Sequence, residues 1–198
     1  MTTQVADSTA ERILDIAQRL VQSRGFNGFS YADIAEEVGI RKASIHHHFP
    51  GKEDLGRRLM ERYHEAFIAR LAEIEADAPD AGRRLRRYVR IYADVLRNDD
   101  RMCLCGMLAA DFHTLPASVK GAVRAFFDAN EAWLGRIIED GRKARQLKFS
   151  GPAAPQARFL LSSLEGAMLV ARPYGDVARF QETADRLLAT LGVKVGGR

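Results

Sequence analysis

Ser30–Leu55 reads Ser-Tyr-Ala-Asp-Ile-Ala-Glu-Glu-Val-Gly-Ile-Arg-Lys-Ala-Ser-Ile-His-His-His-Phe-Pro-Gly-Lys-Glu-Asp-Leu. Two short helices and a sharp turn are written into it. Ser30 is suited to cap a helix over Tyr31–Val38, and Asp33, three residues on, completes a capping-box pattern. Gly39 ends that helix, because glycine tolerates the positive φ that a tight turn demands. A second helix covers Lys42–His48, and Pro50-Gly51 breaks the chain after it.

Two helices joined by a glycine-containing turn of three to four residues make a helix-turn-helix, whose second helix enters the major groove of DNA. Its N-terminal residues meet base edges, and here these are Arg41, Lys42, Ala43 and Ser44. Arg and Lys pair with guanine acceptors, Ala contacts a thymine methyl, and Ser serves either role. His46 and His47 follow, with His47 and His48 one turn further on and suited to phosphate. Lys52 opens the next helix, where its side chain and the free backbone N–H groups both favour a phosphate. The triple histidine invites a metal reading. However, adjacent helix residues point in different directions, and metal pairs prefer a spacing of four.

Phe29-Ser30, Ile34-Ala35, Gly39-Ile40, Lys42, Ser44-Ile45, His47, Phe49-Pro50, Lys52 and Leu55 together resemble the TetR family of transcriptional regulators, with no insertion between them. The resemblance is strong over about residues 10–60 and architectural beyond. It implies that Ile34, Ala35, Val38, Ile45 and Phe49 are core, and that Lys42, Ser44, His46, His47 and Lys52 contact DNA. Arg41 stands where a small capping residue is usual, and His46 where Tyr is usual. The resemblance also implies that the chain after about Glu53 binds a small-molecule effector and dimerises. Repression is the family tendency, and activation stays open.

Outward from this stretch the chain reads as helices throughout. Ile13, Ile16, Ala17, Leu20 and Val21 give a first amphipathic helix starting near Thr9 and stopping at Gly25. Leu55, Leu59, Tyr63, Phe67 and Leu71 recur every four residues along a helix from about Lys52 to Ala76. Further helices are expected over Ala81–Arg97, Cys103–Phe112, Pro116 to about Arg145, Ala157–Ala171 and Val177–Leu191. Asn98-Asp99-Asp100 marks a polar break, and the tail Gly192–Arg198 is expected to fray. The expected fold is all-α, with about nine helices: a three-helix head over 1–51 and a helical regulatory, ligand-binding and dimerisation domain over 52–198.

Composition bounds the function. The 198 residues have an ordinary balance of apolar and charged side chains. No apolar run approaches the roughly 20 residues that span a bilayer, and the polar N-terminus lacks a signal-peptide core, so the expected place is the cytoplasm, with no membrane partner. The net charge is +4, yet residues 1–62 carry nine Lys/Arg and nine Asp/Glu. The basic character is therefore local: Arg41, Lys42, Lys52, Arg57 and Arg58 surround the reading element. A second run, Arg83, Arg84, Arg86, Arg87 and Arg90, reads first as a solvated helix face. Cys103 and Cys105 would point about 200° apart on a helix, so neither a bridge nor a metal site is expected between them.

Ala157–Ala171 is apolar on most sides, and Ser162, Ser163, Gly166 and Ala167 are small enough for close helix approach. A four-helix bundle between two copies is the natural burial, and a two-fold homodimer fits a palindromic double-stranded operator with half-sites about 34–36 Å apart. Candidate ligand residues combine aromatic bodies and polar tips: Tyr63, Tyr88, Tyr92, Cys105, Phe112, His113, Trp133 and Glu165. No cofactor is expected. Two switches compete: non-covalent effector binding, or modification of Cys103 or Cys105 by an oxidant or electrophile. An enzyme would need a nucleophile–base pair or paired carboxylates, and no spacing suggests one; a helical interaction protein without DNA is the other alternative.

Overall fold

The structure, a computed structural model, describes residues 2–98 and 101–194, with side chains from Thr9 onward. Asp99 and Asp100 of the expected polar break, and the tail beyond Lys194, lie outside the described residues. Every regular element among those described is helical: α1 (Thr2–Arg24), α2 (Tyr31–Val38), α3 (Lys42–His48), α4 (Lys52–Asp77), α5 (Ala81–Arg97), α6 (Leu104–Ala110), α7 (Ala117–Lys143), α8 (Ala153–Ala171) and α9 (Val177–Thr190). 

Three ends depart from the expected ones. α1 begins at Thr2 and not near Thr9, since no glycine or proline precedes Thr9 to stop it. α8 begins at Ala153, because Pro155 falls in the first turn, where its missing N–H has no intrahelical partner to lose. α6 stops at Ala110, and Phe112–Thr114 tightens into a 3₁₀ turn.

The chain forms two compact units. One comprises Met1–Ala66 and Leu104–Ala125; the other comprises Phe67–Cys103 and Phe126–Arg198. The helix-turn-helix stretch therefore shares its unit with α6 and the start of α7. Ile13, Leu14, Ala17, Leu20, Val21, Ile34, Ile45, Leu55 and Leu59 form its buried core. Arg62 ties α4 to α1 through Glu11 and Asp15, both at 2.8 Å. Gly56 permits a close approach, because a Cβ there would lie 2.9 Å from Val119 Cγ2 and 3.0 Å from the Phe26 ring.

Asp111 fastens the loop after α1. Its carboxylate accepts from Phe26 N–H at 2.7 Å. Gly25 makes this fit possible twice over: it has φ +81°, and a Cβ on it would stand 2.7 Å from that same carboxylate oxygen.

In the second unit α8 packs against α9, and α5 packs against both. Leu160, Leu161, Leu164, Met168 and Ala171 turn one face of α8 inward. The other side is apolar too, yet open: Phe159, Leu169 and Val170 are 52%, 59% and 61% exposed. Three- and four-residue spacings join them to exposed Ser162 and Gly166 in one stripe.

Candidate nucleic-acid interface and ligand-binding cluster

The reading element is built by local chemistry. Ser30 N–H and hydroxyl both donate to Asp33 Oδ2 at 2.7 Å, while Ser30 Oγ accepts from Ala32 N–H at 3.2 Å. That network holds the Asp33 carboxyl below the ordinary aspartate range. Gly39 adopts φ +77°, and its N–H and that of Ile40 both close on the Ala35 carbonyl, at 3.0 and 3.1 Å. Tyr31 donates to the Phe49 carbonyl at 3.0 Å, linking the start of α2 to the end of α3. Burial, then the nearby Asp54 carboxylate, pushes the Tyr31 phenol up to about 12.

α3 is thereby held by a single inward residue, Ile45, which is wholly buried. Arg41, Lys42, Ala43, Ser44, His46 and His47 are all exposed around it. Arg41 is the N-cap but makes no side-chain capping bond, so its guanidinium stays on the open face. Arg41 and Lys42 form no ion pair among the described residues, although Arg19–Glu37 and Arg62–Glu11 pair nearby.

Two of the seven candidate DNA residues have additional internal work. His46 Nδ1 lies 3.1 Å from the Pro50 carbonyl, and its ring meets Tyr31 edge-on with centroids 4.8 Å apart. Lys52 turns inward: its ammonium donates to the Phe29 carbonyl at 2.5 Å and sits over the Phe29 and Phe26 rings at 4.1 and 5.0 Å. Partial burial lowers its pKa against the opposing pull of Asp111 and Asp33. At the same helix start Gly51 N–H is occupied by Asp54 at 3.1 Å.

The eight candidate ligand residues divide between the units. Tyr63, Cys105, Phe112 and His113 belong to the first. Cys105 is fully buried with its sulfur 3.9 Å from Met60 Sδ. Phe112 lies under Lys120 and Arg124, and His113 is exposed with its carbonyl taken by Lys120. Tyr88, Tyr92, Trp133 and Glu165 belong to the second unit.

Tyr88, Tyr92 and Trp133 come together. Tyr88 stacks on Trp133 at 5.4 Å and 21°, and meets Tyr92 at 5.3 Å. Its hydroxyl donates to Asn130 Oδ1 at 2.9 Å and lies 2.9 Å from the Tyr92 hydroxyl. Glu165 acts on both tyrosines electrostatically, as does Cys103. Burial holds the Glu165 carboxyl well above the ordinary range, with Cys103 reinforcing the shift. Although the Glu165 stem is half-buried, both carboxyl oxygens are sealed from solvent, with the Cys103 side chain beside them. 

Asn130 went unrecognised as a candidate, yet it carries a signal. It is a fully buried polar residue on an α7 face otherwise supplied by Phe126, Leu134 and Ile137. A second omission is Glu75. Its carboxylate accepts from Trp133 Nε1 at 2.6 Å and binds Arg136 through 2.6 and 2.8 Å contacts. These groups border an open groove of about 470 Å³ between Ile68–Glu75 of α4 and Ala129–Arg136 of α7.

A buried-core helix-turn-helix with an exposed basic face, followed by a helical domain carrying an aromatic and carboxyl cluster, defines a DNA-binding transcriptional regulator. The family description "Bacterial regulatory proteins, tetR family" matches residues 13–59, and "Tetracyclin repressor-like, C-terminal domain" matches residues 81–187. The chain belongs to the TetR family of transcriptional regulators. It is 37% identical to a solved TetR-family regulator from Agrobacterium tumefaciens, with TM-score 0.91, over 94% of this chain and 98% of that one. A TetR regulator from Legionella pneumophila is 31% identical with TM-score 0.82, over 91% and 96% of the two chains. The HTH-type transcriptional repressor NemR of Escherichia coli is 27% identical over 91% of this chain and 90% of its own length. NemR has been solved in its reduced form, where the match is 26% identical with TM-score 0.78 over 90% and 95%.

Proposed function

We propose that this regulator is a repressor that binds a palindromic operator as a homodimer and releases it when a small molecule binds. In this reading residues 1–51 touch DNA, and 52–198 hold the effector and the second copy. The observation that carries it is the α3 surface: six exposed small or hydrogen-bonding residues around one buried isoleucine. Arg41, Lys42, Ala43 and Ser44 take base edges. His47 takes phosphate, as do the outer nitrogen of His46 and the helix start at Lys52. The open apolar stripe of α8 supports a second copy as its cover, since solvated Phe159, Leu169 and Val170 side by side are costly.

Gel retardation on the DNA flanking the protein's own gene tests the reading. Lys42→Ala and His47→Ala should each weaken binding, by about 1–3 kcal/mol for a base contact and less for a phosphate, with the fold retained by circular dichroism. Affinity should fall steeply with salt. Undiminished binding in both variants rejects the assigned face.

A thiol switch at Cys103 or Cys105 is the second reading, favoured by the likeness to a repressor solved in a reduced form. Near-complete burial of both thiols restricts it to small reagents or to transient opening.

A further inference from the structure

Three consecutive histidines, His46, His47 and His48, close α3, and each ring has a different setting. His46 Nδ1 lies 3.1 Å from the Pro50 carbonyl. A carbonyl oxygen only accepts, so Nδ1 carries the hydrogen of that bond. A neutral imidazole has one N–H, and in His46 it is spent on Pro50. The outer nitrogen, Nε2, is then a bare lone pair on the exposed face of α3.

His47 differs. No hydrogen bond holds either of its nitrogens among the described residues, and its ring meets His48 edge-on at 5.7 Å. A neutral His47 is free to turn its single N–H outward. His48 is half-buried and borders a cavity that Glu11, Asp54, Arg57 and Arg58 also line.

The His46 ring is held from α2 as well. Tyr31 donates to the Phe49 carbonyl at 3.0 Å, so side chains of α2 and α3 bond to consecutive carbonyls at the turn into α4. The Tyr31 and His46 rings lie 4.8 Å apart, and the phenol, pushed up to about 12, stays uncharged. The titratable and charged groups around His46 are Tyr31 of α2, with Asp54 of α4 acting on that phenol, and on α3 itself Lys42 one turn back and His47 beside it. No carboxylate pairs with the His46 ring among the described residues.

We propose that His46 meets an operator phosphate as an imidazolium, so that DNA binding takes up one proton at each His46 engaged. A phosphate oxygen, like the Pro50 carbonyl, only accepts. A ring placed between two acceptors needs two N–H groups, and imidazole has two only when charged. The proton comes from solvent and adds to the Nε2 lone pair, and no other bond in protein or DNA changes. The phosphate charge favours that form. Affinity is therefore highest at low pH and declines as pH rises through the histidine range. This rests on the reading of α3 as the DNA face and adds how that face responds to pH.

Operator affinity of the full-length protein is measured by fluorescence anisotropy on the DNA flanking its own gene, at constant salt, from about pH 6 to about pH 8. Native affinity should fall about tenfold over that range for each histidine engaged. His46→Gln puts an amide N–H near the Nε2 position, and it should bind with a level profile, because an amide donates without titrating. His46→Asn keeps a donor near the Nδ1 position for Pro50 but falls short of DNA. It should stay near the native pH 8 affinity throughout. Circular dichroism at each pH confirms that the variants are folded. A native affinity that is level across the range, or a decline that survives in both His46 variants, overturns the proposal. So does an affinity that rises with pH, which would mean that the bare Nε2 accepts from a base amino group. Lys42→Ala and His47→Ala separate this failure from that of the DNA face. If they weaken binding while the His46 variants keep the decline, the face stands and the proton uptake falls. If neither weakens it, the face falls and the proposal with it.

Discussion

Glu165 also makes a stability prediction. In the unfolded chain its carboxyl ionises near the ordinary value of about 4.3, whereas burial keeps it protonated in the fold. Its folded pKa is raised, so stability is full below the unfolded value and declines as pH rises toward the folded one. Glu165→Gln keeps the shape without the titration. Its melting temperature should match the native protein's near pH 5 and exceed it near pH 8, by about 2–4 °C per kcal/mol relieved. Parallel melting curves across that range would sink the assignment. Glu165 was recognisable from the sequence only as a polar tip in an apolar stretch. That it faces two tyrosines and Cys103 depends on which helices meet. Lys52 shows the opposite case: its position in the motif was plain, but its turn onto the Phe29 carbonyl depends on a loop whose two aromatic rings no periodicity reveals.

At the scale of elements, glycines of similar appearance in α7 separate into two kinds. Gly121 has nothing within 4 Å of an added Cβ, whereas a Cβ on Gly141 would meet Ala81 Cβ at 2.5 Å and Leu147 at 2.7 Å. Gly121→Ala should stabilise by about 0.5–1 kcal/mol through helix propensity alone. Gly141→Ala should destabilise by about 1–3 kcal/mol despite the same gain, because the neighbours are a backbone-anchored methyl and a packed leucine. Urea denaturation of the two variants distinguishes them, and equal signs would show that the close approach is relaxed. Helix existence was legible here because apolar spacing of three and four dominates. Three boundaries were not, for local reasons. Pro155 is harmless in a first turn, nothing stops α1 at Thr9, and the end of α6 is followed by Asp111, whose side chain bonds to a distant loop.

At the scale of the whole molecule, the family and the reading head were legible because their signals are local: the Ser30–Asp33 box, Gly39, and the residues around α3. The grouping of Leu104–Ala125 with Met1–Ala66 was not, since it arises from contacts remote along the chain. The hydrogen bond from Phe26 to Asp111 spans 85 positions. Asp111→Ala should therefore lower the melting temperature of the intact chain, losing about 1–3 kcal/mol from the orphaned Phe26 N–H. A change confined to the turn after α6, with operator affinity and the environment of Phe26 untouched by NMR, would contradict this.

The same hook bears on modularity. A head that borrows a carboxylate and a valine from beyond residue 103 is not a cassette that can be cut at Pro50 and spliced elsewhere. Residues 1–66 expressed alone would bare Phe26 and Gly56 where Val119 should cover them. A chimera giving this reader a new sensor must carry residues 104–125 with it, so the inheritable unit of DNA recognition is discontinuous in the gene.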